Sequence, residues 1–383
     1  MGLSTAAARQ TAPEGFNDLL DGFREKLDRA LAAWLAHKRR EAEGFREALE
    51  LIDGVGQLVT QGGKRLRPAL VYYTYRACGG PSDEEALPVA LATELLHTYL
   101  LIHDDIMDHA EVRRGQPAAH VRFQRAHQAY GFRGDAQDFG RSVAILLGDL
   151  AHTWSVELFT GASLQEGRAR ELTRCFSAMS EEVIGGQYLE LLVAQRRGRS
   201  APGTGDSDRE EELLRVLRLK SGRYTAERPI QLGALLAGAP PSVIAGLSRY
   251  GTAVGEAFQL QDDLLGMFGD AGTVGKPVGD DLKEGKLTFL IHHALSAATP
   301  EQRVEVERAL GNPDLTDGEV ARVRRILEET GARAKVTGMV AERLRAARSA
   351  LAEIAEIGET EGLRPDGRLF LEGLIDFLWE RER

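Results

Sequence analysis

Cysteine is scarce in this chain of 383 residues: the two present, Cys78 and Cys175, allow at most one disulfide and none of the paired spacings that hold zinc. A reducing, cytoplasmic setting is the expectation. Positive charge is also in deficit. Against 58 aspartates and glutamates stand 48 lysines and arginines, a formal net charge of −10, which leaves no overall basic footprint for nucleic acid. No uninterrupted apolar run approaches the ~20 residues needed to cross a bilayer. The N-terminal MGLSTAAARQTAPEG lacks the apolar core of a secretory signal, so no membrane span is expected. Strand-like alternation is rare, and there is no nucleophile elbow or triad pattern to suggest covalent catalysis.

What is abundant is Ala, Leu, Glu and Arg, with apolar residues returning every three or four positions, and this predicts an all-α protein. Residues 1–15 are expected to be disordered and 16–383 to form one domain. The stretch from Leu27 to Leu51 reads as one amphipathic helix leading to a turn at Gly62-Gly63. The polar QRRGRSAPGTGDSDREEE predicts a flexible loop over about 195–212, and TPEQR marks a further break.

The chemistry concentrates in a few places. LLIHDDIMDHAEVRRG puts Asp104, Asp105 and Asp108 within one helical turn, where like charges repel, and follows them with Arg113 and Arg114. Three acids in a turn are ordinarily a solvated face, but the preceding LHTYLLIH is too apolar for one. FQLQDDLLGMFGD repeats the acidic pair as Asp262-Asp263. Two carboxylate pairs on separate apolar helices suit hard divalent cations such as Mg²⁺, which take one or two carboxylates each and complete their shells with water and substrate phosphates. Basic groups to hold such an anion follow each motif or precede it: Lys64, Arg65 and Arg67 in GGKRLRP, and Lys276 and Lys286 in VGKPVGDDLKEGKLT. His97 and His103, each a lone histidine, read on their own as satisfied core histidines, the commoner fate of such a residue.

In combination, GGKRLRP, ELLH, HDDIMD with RRG, LLGD, GGQYLE, LKSGRYT, FQLQDDLLG and GKPVGDDLKEGK resemble the trans-isoprenyl diphosphate synthases, or polyprenyl synthetases, from about Gly62 to Lys286. The resemblance implies an orthogonal bundle of antiparallel helices around a central cavity, usually a homodimer. It implies head-to-tail condensation of isopentenyl diphosphate with an allylic diphosphate, using three Mg²⁺ ions for which Mn²⁺ can substitute. Asp104, Asp105 and Asp108 match the first aspartate motif, whose ions bridge the allylic diphosphate. Asp262 matches the ligand of a third ion, with Asp263 beside it. Arg113 matches an allylic diphosphate contact, and Lys64, Arg67, His97 and Arg114 match the isopentenyl diphosphate pocket. Lys220, Gln259 and Lys276 match further allylic contacts; Gln187 and Ser221 line the same cavity, and Lys286 is a weaker match. One departure is Gly266, which stands where many relatives have a third aspartate; Asp270 lies one turn on.

Product length is expected to depend on side chains below the first motif. Leu100 lies one turn before Asp104 on nearly the same face, with Thr93 and Leu96 deeper, whereas Tyr99 points about 140° away on an ideal wheel. An aromatic residue at the position of Tyr99 resembles geranylgeranyl diphosphate synthases, which favours a twenty-carbon product over farnesyl or longer diphosphates. A terpene cyclase would need a different second metal motif, and a regulatory subunit of a heteromeric synthase commonly lacks the aspartates that are present here.

Overall fold

Good helix formers on amphipathic registers give the helices they should. The computed structural model describes residues 15–162, 166–196, 206–269, 278–355 and 363–380. In chain order these form α1 (Phe16–Glu41), α2 (Arg46–Thr60), α3 (Leu66–Ala77), α4 (Asp83–Met107), α5 (Ala119–Ala129), α6 (Ala136–Gly161) and α7 (Glu166–Gln195). Next come α8 (Asp206–Val216), a π-helical segment (Leu217–Glu227), α9 (Arg228–Ala237) and α10 (Pro241–Phe268). The chain ends in α11 (Asp280–Glu284), α12 (Phe289–Ala297), α13 (Pro300–Ala309), α14 (Asp317–Glu329), α15 (Ala332–Ala355) and α16 (Pro365–Glu380). Between α4 and α5, Val112–Arg113 and Gln116–Pro117 pair as a two-residue antiparallel ribbon.

The all-α expectation holds, with three corrections. The helix expected from Leu27 through Leu51 is two helices, because the chain turns between α1 and α2 at Gly44, whose φ of 92° a side-chain-bearing residue adopts only with strain. The loop expected over 195–212 is already helical from Asp206. Residues 197–205, like residues 1–14, lie outside the described residues. The apolar run is longer than expected too: α4 is long and apolar enough to cross a bilayer, but 61% of that stretch is buried inside the protein, so its apolar surface serves the core. At TPEQR the break falls as expected, with Thr299 and Gln302 forming a capping box that starts α13.

Ser82 caps α4 by accepting from the Glu84 amide. The helix then packs against α6 and α3, while α10 packs against α15 and the π-helical segment. One continuous apolar core joins them, with Phe23, Tyr75, Tyr250 and Phe370 among its largest buried side chains. The wide π-helical turn is squeezed between α7 and α10. A Cβ at Gly186 would lie 2.3 Å from the Lys220 nitrogen, and one at Gly255 would lie 2.2 Å from the Gly222 oxygen. Glycine on both sides lets the backbones approach, and the result aims Lys220 at Asp104 of the first acidic motif.

Candidate active site

The C-terminal end of α4, the loop before α3, the π-helical segment, α10 and α11 enclose a cavity of about 710 Å³. Its walls carry Lys64, Arg67, His97, Asp104, Arg113, Arg114, Lys220, Ser221, Gln259, Asp262, Asp263 and Lys286, so most of the residues singled out in the sequence meet in one place. Lys276, like Asp270, lies outside the described residues.

Cations bridge the acids. Lys220 contacts Asp104 at 3.4 Å and also pairs with Glu190 of α7. Lys286 contacts Asp108 at 2.9 Å and Glu284 at 2.5 Å. Burial alone would lower both ammonium pKa values. For Lys220 the charges of Asp104 and Glu190 outweigh it, and for Lys286 those of Asp281 and Asp108 do, so both stay protonated. Asp105 departs from expectation. Only 2% exposed, it turns away from the cavity wall and accepts from Arg113 through Nε at 2.8 Å and through Nη2. Burial, reinforced by Asp281, raises the Asp263 carboxyl well above the usual range, against the hydrogen bond that Gln259 donates to it at 2.8 Å.

Arg67 and His97 line the same cavity and have partners of their own. Arg67 donates to Thr225 Oγ1 at 2.8 Å, lies over the Tyr224 ring at 4.5 Å and approaches His97 Nε2 at 3.4 Å. His97 Nδ1 sits 2.6 Å from the Tyr224 hydroxyl. Burial, then Arg67 and Arg114, depress the His97 pKa well below its ordinary value, so the ring is neutral and hydrogen-bonds without adding charge. Arg114 donates to the Gly62 carbonyl, and Gly63, with φ of 131°, leaves room for its guanidinium. The positive-φ residues other than glycine among the described ones are Arg65, His109 and Arg114, and Arg114 lines this cavity, where strained backbone is commonly found.

A narrower cavity of about 360 Å³ continues from these groups between α4, α7 and the π-helical segment. It shares Arg67, His97, Asp104, Lys220 and Ser221 with the first and adds Tyr99, Leu100, Gln187, Ile184 and Leu191. Tyr99 meets the rings of His103 and His152 edge-on, with centroids 4.8 and 5.0 Å away. Leu96, expected on the floor, lines neither cavity: it is fully buried, on a face of α4 turned into the helix packing.

Acidic and basic groups gathered on the walls of one cavity, with an apolar extension, suit a diphosphate with a hydrocarbon tail. The family model described as polyprenyl synthetase matches residues 50–328.

The chain belongs to the polyprenyl synthetase family.

This polyprenyl synthetase is 32% identical over 329 residues to the short chain isoprenyl diphosphate synthase of Methanothermobacter thermautotrophicus, covering 85% of this chain and 88% of that protein. It is 33% identical over 274 residues to the geranylgeranyl diphosphate synthase of Sulfolobus acidocaldarius, covering 71% and 74%. Its structure matches that of the geranylgeranyl pyrophosphate synthase from Corynebacterium glutamicum complexed with isoprenyl diphosphate and magnesium, with a TM-score of 0.86, 31% identity and coverage of 94% of this chain and 99% of that one.

The synthetase's donor set fits a divalent cation in kind. The cavity presents carboxylate oxygens from α4 and α10 and no thiolate. Among the described residues, no three acidic, histidine or cysteine side chains converge on one point, so each ion would draw much of its shell from water and diphosphate. Arg65, expected among the groups that hold the anion, does not line the cavity: it is 4% exposed and turns inward to Glu94, to the Val59 carbonyl at 2.6 Å and to Asp28 at 3.1 Å. Two partners, Tyr224 and Glu190, escaped the sequence reading. A tyrosine within LKSGRYT and a lone glutamate within GGQYLE gave no signal beyond belonging to those motifs.

Proposed function

We propose that this polyprenyl synthetase joins isopentenyl diphosphate head to tail with an allylic diphosphate, and that geranylgeranyl diphosphate is its main product. The observation that carries the reading is the gathering of two half-sites, Lys64/Arg67/Arg114 with neutral His97 and Arg113/Lys220/Lys286, on the walls of one cavity with Asp104 and Asp262. The first half-site would hold isopentenyl diphosphate. The second, with Gln259 and Lys276, would hold the allylic diphosphate, with Gln187 and Ser221 against its first carbons.

Asp104, Asp108 and Asp262 would hold Mg²⁺, three ions in all and replaceable by Mn²⁺, with Asp105 and Asp263 supporting them. Such ions neutralise charge developing on the leaving diphosphate. Lys220 and Arg113 orient that diphosphate. Its C–O bond breaks to leave an allylic cation, the double bond of isopentenyl diphosphate attacks, and the released diphosphate removes the proton, so neutral His97 need not act as a base. Apolar side chains of α4 and α7, covered by a second copy, would exclude the water that would trap the cation. We also assign a homodimer. Ile145, Leu146 and Val156 of α6 and Ile184, Tyr188 and Leu191 of α7 are 40–64% exposed, apolar side chains that a second copy would cover.

Condensation should require Mg²⁺ or Mn²⁺, and Asp104→Ala should slow it at least ~100-fold, the scale of losing a key electrostatic stabiliser. Assays of diphosphate release with and without excess chelator check this. Full turnover in chelator would refute the metal assignment.

A further inference from the structure

One buried acid of α10 lies outside both cavities. Of the helix's buried carboxylates, Asp263 lines the polar cavity, whereas Glu256, 2% exposed, lines neither. A buried carboxylate is costly unless it is paired and hydrogen-bonded, and Glu256 is paired twice. It accepts from Arg218 Nε at 2.6 Å through one oxygen and from Arg343 Nε of α15 at 2.5 Å through the other. The two arginine side chains keep 45% and 24% of their surface exposed, so water solvates both and neither needs this acid. Such a buried triad adds little net stability over apolar packing, and its best-attested use is to fix the register of one element against another. The element in register here is the one that carries Lys220. Arg218 stands two residues before that lysine in the π-helical segment, and Glu256 follows Gly255, where α10 closes on the backbone of Gly222. Glycine against glycine brings the two backbones together but interlocks no side chains. The bond from Arg218 to Glu256 supplies that lock, and Lys220, held by the same turn, reaches Asp104 at 3.4 Å.

We propose that Glu256 is a positioning residue: by holding Arg218 it sets the turn of the π-helical segment that places the Lys220 ammonium for the allylic diphosphate. The inference rests on reading Lys220 as a contact of that diphosphate. Glu256 itself touches no substrate, and Arg343 steadies its carboxylate from α15. Losing the link leaves the Lys220 side chain intact but misdirected, so the cost appears in the affinity for the allylic diphosphate and vanishes when Lys220 is absent.

The test is titration calorimetry of geranyl diphosphate, an allylic diphosphate, into the purified full-length protein with Mg²⁺ and without isopentenyl diphosphate, so that no condensation occurs. The proteins compared are the wild type, Glu256→Gln, Lys220→Ala and the double variant, with circular dichroism to verify folding. Lys220→Ala should weaken binding about 10-fold, the scale of one hydrogen bond to a charged group. Glu256→Gln should cause a loss approaching that size, yet add less than about 2-fold in the Lys220→Ala background, because changes acting through one group are not additive. Arg218→Gln removes the same link at a half-exposed side chain and should reproduce the loss, which keeps the test decisive if Glu256→Gln does not fold. Wild-type affinity in the folded variants of Glu256 and Arg218, or an equal loss with and without Lys220, would overturn the proposal and leave the triad a purely structural bond. If Lys220→Ala also bound geranyl diphosphate like the wild type, the assignment of Lys220 to the allylic half-site would fall, and the role of Glu256 with it.

Discussion

Arg65 shows how neighbouring residues of one motif divide their work. Lys64 and Arg67 face the cavity, while Arg65, held at φ of 50°, buries its guanidinium against Glu94 of α4. Fixing the loop to α4 holds the two outward cations in register with Asp104. Arg65→Ala would strand the buried Glu94 charge, and a loss of about 3–5 kcal/mol of folding stability is expected, measured by denaturant titration. An unchanged midpoint would contradict this role. The sequence announced the cluster of positive charge but not the direction of each side chain, because that depends on one left-handed residue and on an acid 29 positions away.

His293 on α12 makes a second residue-scale prediction. Burial, followed by the charges of Lys335 and His292 and opposed by Glu210, lowers its pKa to about 4, against about 6.5 when unfolded. As pH falls below about 6.5 the unfolded chain binds this proton first, so stability present above that pH is lost on the way down to about 4. Denaturation midpoints at pH 7.5 and pH 5 should therefore differ less in His293→Gln than in the wild type. An equal drop in both would contradict the assignment.

Among the elements, α4 was legible and the π-helical segment was not. The apolar run of α4 ending in three aspartates fixes both its burial and the site at its end. The π-helical turn arises from tertiary fit, with Gly186 and Gly255 admitting its backbone from either side, and no local periodicity encodes that fit. Yet this turn sets Lys220 toward Asp104 while Tyr224 and Thr225 reach His97 and Arg67. Along α4, Tyr99 and Leu100 both line the narrow cavity despite their different wheel positions, because α6 and α7 flank the helix on two sides. Overpacking a formed wall costs on the order of 1–3 kcal/mol, enough to stop a growing chain. Tyr99→Ala with Leu100→Ala should shift products beyond twenty carbons, with Tyr99 contributing more. Chromatography showing an active double variant with unchanged product length would place the stop on another helix.

At the scale of the molecule, a net charge of −10 coexists with a cavity crowded by arginine and lysine. Composition therefore gave an expectation against nucleic acid without revealing the anion site, and only the order of motifs along the chain did that. The bundle then does what spacing alone cannot: it brings Asp108 within 2.9 Å of Lys286 across 178 residues of sequence. Its apolar faces on α6 and α7 leave the narrow cavity bordered by exposed side chains. The central claim is that this cavity condenses two diphosphates and measures the product. Incubating the protein with Mg²⁺, isopentenyl diphosphate and each allylic primer in turn, then sizing the dephosphorylated products by chromatography, tests it most directly. The account predicts elongation ending mainly at twenty carbons, and failure to extend any primer would contradict it.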